Sequence, residues 1–557
     1  MDIETTLLFV LAAVAVLVIV HWLAEKTGLP EAALLTVAGI GYALLPGPNI
    51  VLDPHLVLTV VLPPLLYSAA LDSSLLAIRR NLRTVVSLSV VLVLVTAVLI
   101  GLGFSLWVSG ATLAAGIALG AAVAPPDPVA ALAVARKVGL PPRLITLIQG
   151  EGLLNDATAL TILSVAVASA TGAGFSAWSA LGQFALSAVG GVAAGLLVAY
   201  AVRWLRRWRS DPLALNAISL ATPFVAYLLG EKAHVSGVLA VVVAGLVVGH
   251  DGSRMVSGAS RLQVNAVWRL IDFLLEGLVF LLIGQQLPTV LKGLGEYDTS
   301  TIVIAVAVSV GGALLLRPLW LLLTQALPQS LHTRLGGADD EEEEDADQRR
   351  ERHNSDAGKL SGRELVVLSW SGTRGVITLA AIFTLPMTTE SGAPFPDRDL
   401  LLFCAFLVVV VTLVGQGVTF APLVRALGLR ADAADQARLR NAARAAAVQA
   451  GLGRLTDLAE EDHDDADDQA IQAIRSQLEA RLARYRRRLA ALEHADSEIP
   501  YNPQYEAALR VRRAVIDSER EELLRLRDVG RLPDEGLRVL ERELDHQEGL
   551  LDARPTG

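Results

Sequence analysis

The sequence predicts an all-α polytopic membrane protein with a helical cytoplasmic tail, and three observations support this. Hydrophobic residues make up 53% of the 557 positions and charged residues only 19%, a balance that soluble domains do not show. Between residues 5 and 427 the apolar residues gather into runs of Leu, Val, Ala, Ile and Gly, many of them the roughly 20 residues that a helix needs to cross the hydrocarbon core. After residue 427 the chain becomes charged, and its apolar residues recur at helical spacing.

Taken in order, the runs give about thirteen helices, centred near Val14, Gly39, Leu62, Leu94, Ala118, Leu160, Gly191, Phe224, Val243, Glu276, Gly311, Gly375 and Val410. The first follows Met-Asp-Ile-Glu, without the basic region of a secretory signal, and reads as a retained helix. Basic residues cluster in alternate loops: Arg79, Arg80 and Arg83; Arg136, Lys137 and Arg143; Arg203, Arg206, Arg207 and Arg209; Arg254 and Arg261; Arg334, Arg349, Arg350 and Arg352. The intervening loops carry hardly any, so the positive-inside rule places the N-terminus outside and the tail in the cytoplasm. Trp204 and Trp208, among arginines, read as interface anchors. His21, His55, His234 and His250 fall near span ends, as interfacial packing would place them.

Residues 1–427 are thus expected to form the membrane domain, with an acidic cytoplasmic loop at 336–358, and residues 428–557 a cytoplasmic helical domain. The loop contains Asp339-Asp340-Glu341-Glu342-Glu343-Glu344-Asp345 and reads as a solvated segment. In the tail Ile471, Ile474, Leu478, Leu482, Tyr485, Leu489 and Leu492 share one helical stripe. His463-Asp464-Asp465 reads as a solvated turn rather than a metal site. The single cysteine, Cys404, lies in an apolar run and reads as a packed thiol. The net charge of -10 gives no reason to expect nucleic acid as a partner.

Charges inside spans cost about 2.5–3.5 kcal/mol each on insertion scales, so each needs a structural or functional reason. Asp127 lies in Ala124-Pro125-Pro126-Asp127-Pro128, where ring clashes and missing amides end a helix. The fifth helix is therefore expected to break at mid-membrane, freeing backbone carbonyls for an ion; the alternative is a kinked helix whose second half Asp127 caps. In Gly150-Glu151-Gly152-Leu153-Leu154-Asn155-Asp156 the spacing puts Glu151 and Asn155 on one helix face, with Asp156 near enough to flank the same cavity. Carboxylate and amide oxygens suit a hard cation, and a buried carboxylate also takes up a proton. One site that holds either ion is the minimum equipment of an antiporter. Arg317 and Arg374 each need a carboxylate or carbonyl partner, and Glu151 is the candidate for one of them. That pairing would leave Asp156 as the exchangeable group. The glycines beside Arg374 mark a second interrupted helix.

At these residues the chain resembles the sodium/proton exchangers of the monovalent cation:proton antiporter superfamily, in the electroneutral branch with an Asn-Asp pair, bacterial type with a cytoplasmic extension. The matching segments are Leu62-Pro63-Pro64-Leu65-Leu66-Tyr67, Asp127-Pro128-Val129-Ala130, Gly150-Glu151 with Leu153-Leu154-Asn155-Asp156-Ala157, Gly372 with Arg374-Gly375, and Gly415-Gln416-Gly417. The resemblance implies inverted repeats with two broken, crossing helices, a homodimer, and alternating access. It implies exchange of Na+, with Li+ or K+ as further possibilities, for H+ in pH and sodium homeostasis at the cell membrane. No cofactor is implied beyond the transported ions. Asp156 would be the main cation and proton site, completed or stabilised by Asn155, Asp127 and the Pro126 carbonyl. Glu151 would bridge to a membrane arginine; Arg317 is preferred, with Arg374 balancing helix ends. Many relatives carry Thr and Ser where this chain has Pro126 and Gly152, so two hydroxyl ligands are missing and cation preference is open.

Two other classes compete with this reading. An intramembrane hydrolase would need facing aspartates or a Ser-His or Cys-His arrangement, and none is evident, so the chain does not read as an enzyme. A potassium/proton antiporter, or a cation channel or sensor on the same core, is the alternative; no filter-like motif is apparent.

Overall fold

The computed structural model describes residues 3–45, 53–172, 177–207, 211–255, 258–326, 360–460, 465–493, 503–529 and 531–552. The acidic run at 339–345 and the His463-Asp464 turn lie outside the described residues. The chain divides into two compact units, Met1–Leu429 and Arg430–Gly557.

Among its described residues the regular structure of the first unit is helical, apart from one isolated bridge between Thr388 and Pro394. Its longer helices are α1 (Ile3–Thr27), α2 (Glu31–Ala43), α3 (Pro54–Leu71), α4 (Leu82–Trp107), α5 (Leu113–Val123), α6 (Pro128–Val138), α7 (Pro142–Thr171) and α8 (Ala177–Arg207). They continue with α9 (Pro212–Lys232), α10 (Gly237–Met255), α11 (Gly258–Gln285), α12 (Thr299–Ala326), α13 (Gly362–Trp370), α14 (Val376–Phe383) and α15 (Arg398–Leu427). Among the described residues nine stretches are long and apolar enough to cross a membrane, α5 and α6 counting together as one. Helices α2 and α10 are shorter apolar helices, and α11 carries Arg269, Asp272 and Glu276. The chain is a multi-pass membrane protein.

Local chemistry sets the helix boundaries. Asp53, Thr112 and Asp211 cap α3, α5 and α9 by accepting hydrogen bonds from His55, Ala115 and Ala214 amides. Ser361 and Glu364 form a reciprocal capping box at the start of α13. Within α3 a π-turn at Val57–Val61 ends one residue, Leu62, before Pro63 and Pro64. The wider turn accommodates two residues that can neither donate to the helix ladder nor pack under the preceding carbonyls. Further π-turns lie at Ser87–Val91 and Val411–Gln416.

Small residues let α5 sink into the membrane unit. Ala115, Ala118, Ala121 and Ala122 are buried, as is Ala97 of the neighbouring α4, and such side chains let helix backbones approach closely where no hydrophobic force from water drives packing. Helix α5 stops at Val123 and α6 starts at Pro128, while α13 stops at Trp370 and α14 starts at Val376. Two helices are thus interrupted, at 124–127 and 371–375, and the second break coincides with the expected helix centre at Gly375.

The second unit contains α16 (Ala433–Ala459), α17 (Asp465–Glu493), α18 (Pro503–Asp528) and α19 (Asp534–Asp552). Asp432 caps α16 by accepting from the Ala434 and Asp435 amides.

Candidate ion site at the crossing of two broken helices

The two breaks meet. In Pro125-Pro126-Asp127-Pro128 only Asp127 has an amide hydrogen, and it donates to the Thr373 carbonyl at 2.6 Å. The Thr373 hydroxyl donates back to the Asp127 carbonyl at 2.9 Å. This reciprocal pair satisfies backbone that would otherwise stand open at membrane depth, where each unsatisfied group is costly.

Opposite charges then face the helix ends. The Asp127 carboxylate accepts from the Val129 amide at 3.0 Å, capping α6, and lies against Gly375 at the start of α14. Two positive helix termini therefore share one negative group. A Cβ on Gly375 would collide with that carboxylate, so the position takes no side chain. Arg374 does the converse. Its Nε donates to Val123 O at 3.0 Å, one Nη reaches Ala124 O at 3.5 Å, and the other donates to Gly372 O. The carbonyl ends of α5 and of the segment after α13 thus face a guanidinium, while the Arg374 amide donates to Thr412 Oγ1 at 3.0 Å.

Glu151, on α7, pairs with Arg317 of α12 through both carboxylate oxygens, the Nη2–Oε2 bond being 2.8 Å. Arg317 Nε also donates to Leu368 O at 2.8 Å. Both side chains are buried, at 1% and 3% exposure, so this pair is fully desolvated and its geometry has to be good to persist. The partner of Glu151 is therefore Arg317, while Arg374 serves carbonyls.

Asn155 donates to the Pro126 carbonyl at 2.7 Å, so the carbonyl that sequence offers to an ion already holds one hydrogen bond. The Asn155 Oδ1 is buried without a hydrogen-bond partner. Asp156 is 3% exposed and has no hydrogen bond or ion pair among the described residues; the neighbouring charge it feels is that of Asp127. Glu151 and Asp156 do not converge as two ligands. Five residues along a helix turn the direction by about 140°, and Glu151 is directed to α12. Where a serine at 152 would stand, the ring of Pro128 fills the space a Cβ would need.

Sequence reasoning passed over several residues that the structure brings into play. Thr412 was hidden in the apolar run of α15, and Thr373 among the glycines of the second break. Asp272 accepts from Ser68 Oγ at 2.5 Å and its Oδ1 is buried without a partner. Glu276 lies one turn further along α11 and feels the charges of Asp272 and Asp127. Their spacing of four was visible, since Glu276 itself marked a helix centre.

In chemical terms, Asp127, Glu151, Arg317 and Arg374 are all engaged with helix ends, backbone or each other. Asp156 is the site carboxylate left unengaged, beside an unpartnered amide oxygen.

Comparison with known proteins gives the membrane unit a family. The family described as sodium/hydrogen exchanger, transmembrane, matches residues 12–426. An uncharacterised Na(+)/H(+) exchanger of Mycobacterium tuberculosis is 33% identical over 556 residues, covering 98% of this chain and 96% of that protein. A Na(+)/H(+) antiporter of Aphanothece halophytica is 29% identical, covering 73% of this chain and 71% of that protein. The solved structure of a sodium proton antiporter from Methanocaldococcus jannaschii, 18% identical, superposes with a TM-score of 0.57 over 77% of this chain and 99% of its own, a likeness of fold. With a family match spanning the membrane unit and both broken helices, the chain belongs to the sodium/hydrogen exchanger family.

Proposed function

We propose that this protein exchanges sodium ions for protons across the cell membrane at Asp156, by alternating access. The observation that carries the reading is the division of buried charge: Asp127, Glu151, Arg317 and Arg374 are each held by a fixed partner, while Asp156 has none among the described residues. A cation takes oxygen ligands from Asp156, with Asn155 Oδ1 and the free lone pair of the Pro126 carbonyl as the nearest additions. When the cation leaves, a proton neutralises the same carboxylate, so the site crosses the apolar core without net charge in either form. Asp127 and Arg374 keep the broken helices paired, and Glu151 with Arg317 ties α7 to α12. The ion gradients drive the cycle and no cofactor enters it.

The Met1 end faces outside and the tail the cytoplasm, as the loop charges favour. The protein works as a homodimer in pH and sodium homeostasis, and residues 428–557 form its regulatory domain.

The test is cation-driven proton movement in proteoliposomes, comparing sodium, lithium and potassium for the native chain and Asp156→Ala. Sodium-driven exchange that disappears in the variant supports the reading. Potassium ranked above sodium would reassign the cargo, and exchange that survives in Asp156→Ala would remove Asp156 from the mechanism. Uncoupled cation flux would point to a channel.

A further inference from the structure

The tail ends in a helical hairpin, α18 with α19, whose internal contact buries Ile516, Leu537 and Leu544. Arg520 of α18 fastens one side of it with ion pairs to Asp545 at 2.9 Å and Glu548 at 2.7 Å. Another side carries an open groove of about 810 Å³, walled by Val511, Val515, Ser518 and Glu522 of α18 and by Leu540 and Glu543 of α19. Val511 is 63% exposed and Val515 49%. Amphipathic helices gain most of their stability by burying such a stripe, and a hairpin alone has no further layer to cover it.

We propose that this groove is where two copies of the tail pair, α18 lying antiparallel to α18 about a two-fold axis near Val515, so that two hairpins form a four-helix bundle. The order of charges selects this occupant. Arg512, Val515, Glu519 and Glu522 fall on one stripe of α18, which therefore begins basic and ends acidic. The two-fold axis sets Arg512 of each copy against Glu519 of the other, and a two-fold interface is self-complementary in this way. A parallel approach would instead oppose like charges. A membrane surface fits poorly, because Glu519, Glu522 and Glu543 line the groove and anionic headgroups repel them.

The test uses the full-length protein in membranes, oxidised and separated on a denaturing gel. The native chain gives a silent background, since its one cysteine, Cys404, is buried. Val515→Cys should yield a covalent dimer several-fold above Arg510→Cys, an exposed position about 140° round the same helix. Arg512→Glu added to Val515→Cys should lower that yield several-fold, and Glu519→Arg added to both should restore it. Equal cross-linking at both positions, no dimer through Val515→Cys, or no recovery on exchanging the charges overturns the proposal. So does cross-linking of Val515→Cys to another protein alone, which would give the groove to a different partner. Covalent dimer yield does not depend on ion exchange, so this result and the transport result stand or fall separately.

Discussion

Glu151 and Arg317 stand 166 positions apart and are nearly inaccessible to solvent. Removing one partner of such a pair leaves an unpaired buried charge, at a cost of about 3–5 kcal/mol, whereas replacing both with apolar groups of similar size is often close to neutral. Arg317→Ala should therefore lower the unfolding temperature in detergent sharply, while Glu151→Leu with Arg317→Met should recover most of the loss. A double variant as unstable as the single one would show that the pair is not the cause. Asp156 behaves differently because it is unpartnered. If proton and cation compete for it, lowering the pH raises the protonated fraction and weakens apparent sodium affinity, by about tenfold per pH unit once the proton predominates. Sodium titrations of exchange at a series of pH values read this directly, and an affinity independent of pH would refute the shared site. The sequence marked Asp156, Glu151, Arg317 and Arg374 because charges stand out in apolar runs. Which guanidinium meets which oxygen depends on how α7, α12 and the breaks pack, and that left no local trace.

At the scale of elements, the crossing depends on a few positions with no room to spare. Gly375→Ala puts a methyl into the Asp127 carboxylate; the forced shift should cost roughly 1–3 kcal/mol and loosen the contact between the breaks. Gly415→Ala is the matched control, since nothing lies within 4 Å of its added Cβ, and it should change stability by no more than about 0.5 kcal/mol. Thermal unfolding of the two variants checks the contrast. Gly152→Ser, which adds a hydroxyl next to Glu151, strikes the Pro128 ring. It should therefore reduce exchange in proteoliposomes rather than improve it, unlike a serine placed in open space. The break at 124–127 was legible because proline chemistry is local. The break at 371–375 was only hinted at by glycines, and the π-turn at Val411–Gln416 in α15 was not legible at all, since Thr412 looks like any other residue of an apolar run until Arg374 donates to it.

For the whole molecule, the division into Met1–Leu429 and Arg430–Gly557 leaves every residue of the ion site in the first unit. A chain ending at Leu429 should retain sodium-driven proton movement, within a few-fold of the full-length rate in the same liposome assay, while losing whatever regulation the tail confers. Exchange abolished in a truncated chain that still unfolds cooperatively would make the tail part of the transport machinery.

Composition and run length by themselves determined that this is a multi-pass helical membrane protein, because the bilayer imposes the same length and polarity on every span. The Pro-rich break, the in-membrane charges and the Glu/Asn/Asp spacing on α7 were likewise local, and they indicated the family and the candidate carboxylate. Packing settled that Asp127 caps one half-helix and faces the start of another, that Arg374 faces carbonyls and Arg317 faces Glu151, and that Asn155 ties α7 to the break at Pro126. Those outcomes depend on which helix ends and side chains meet across long sequence separations. Buried charges are satisfied by whatever the fold brings within hydrogen-bonding distance, and that is a property of packing.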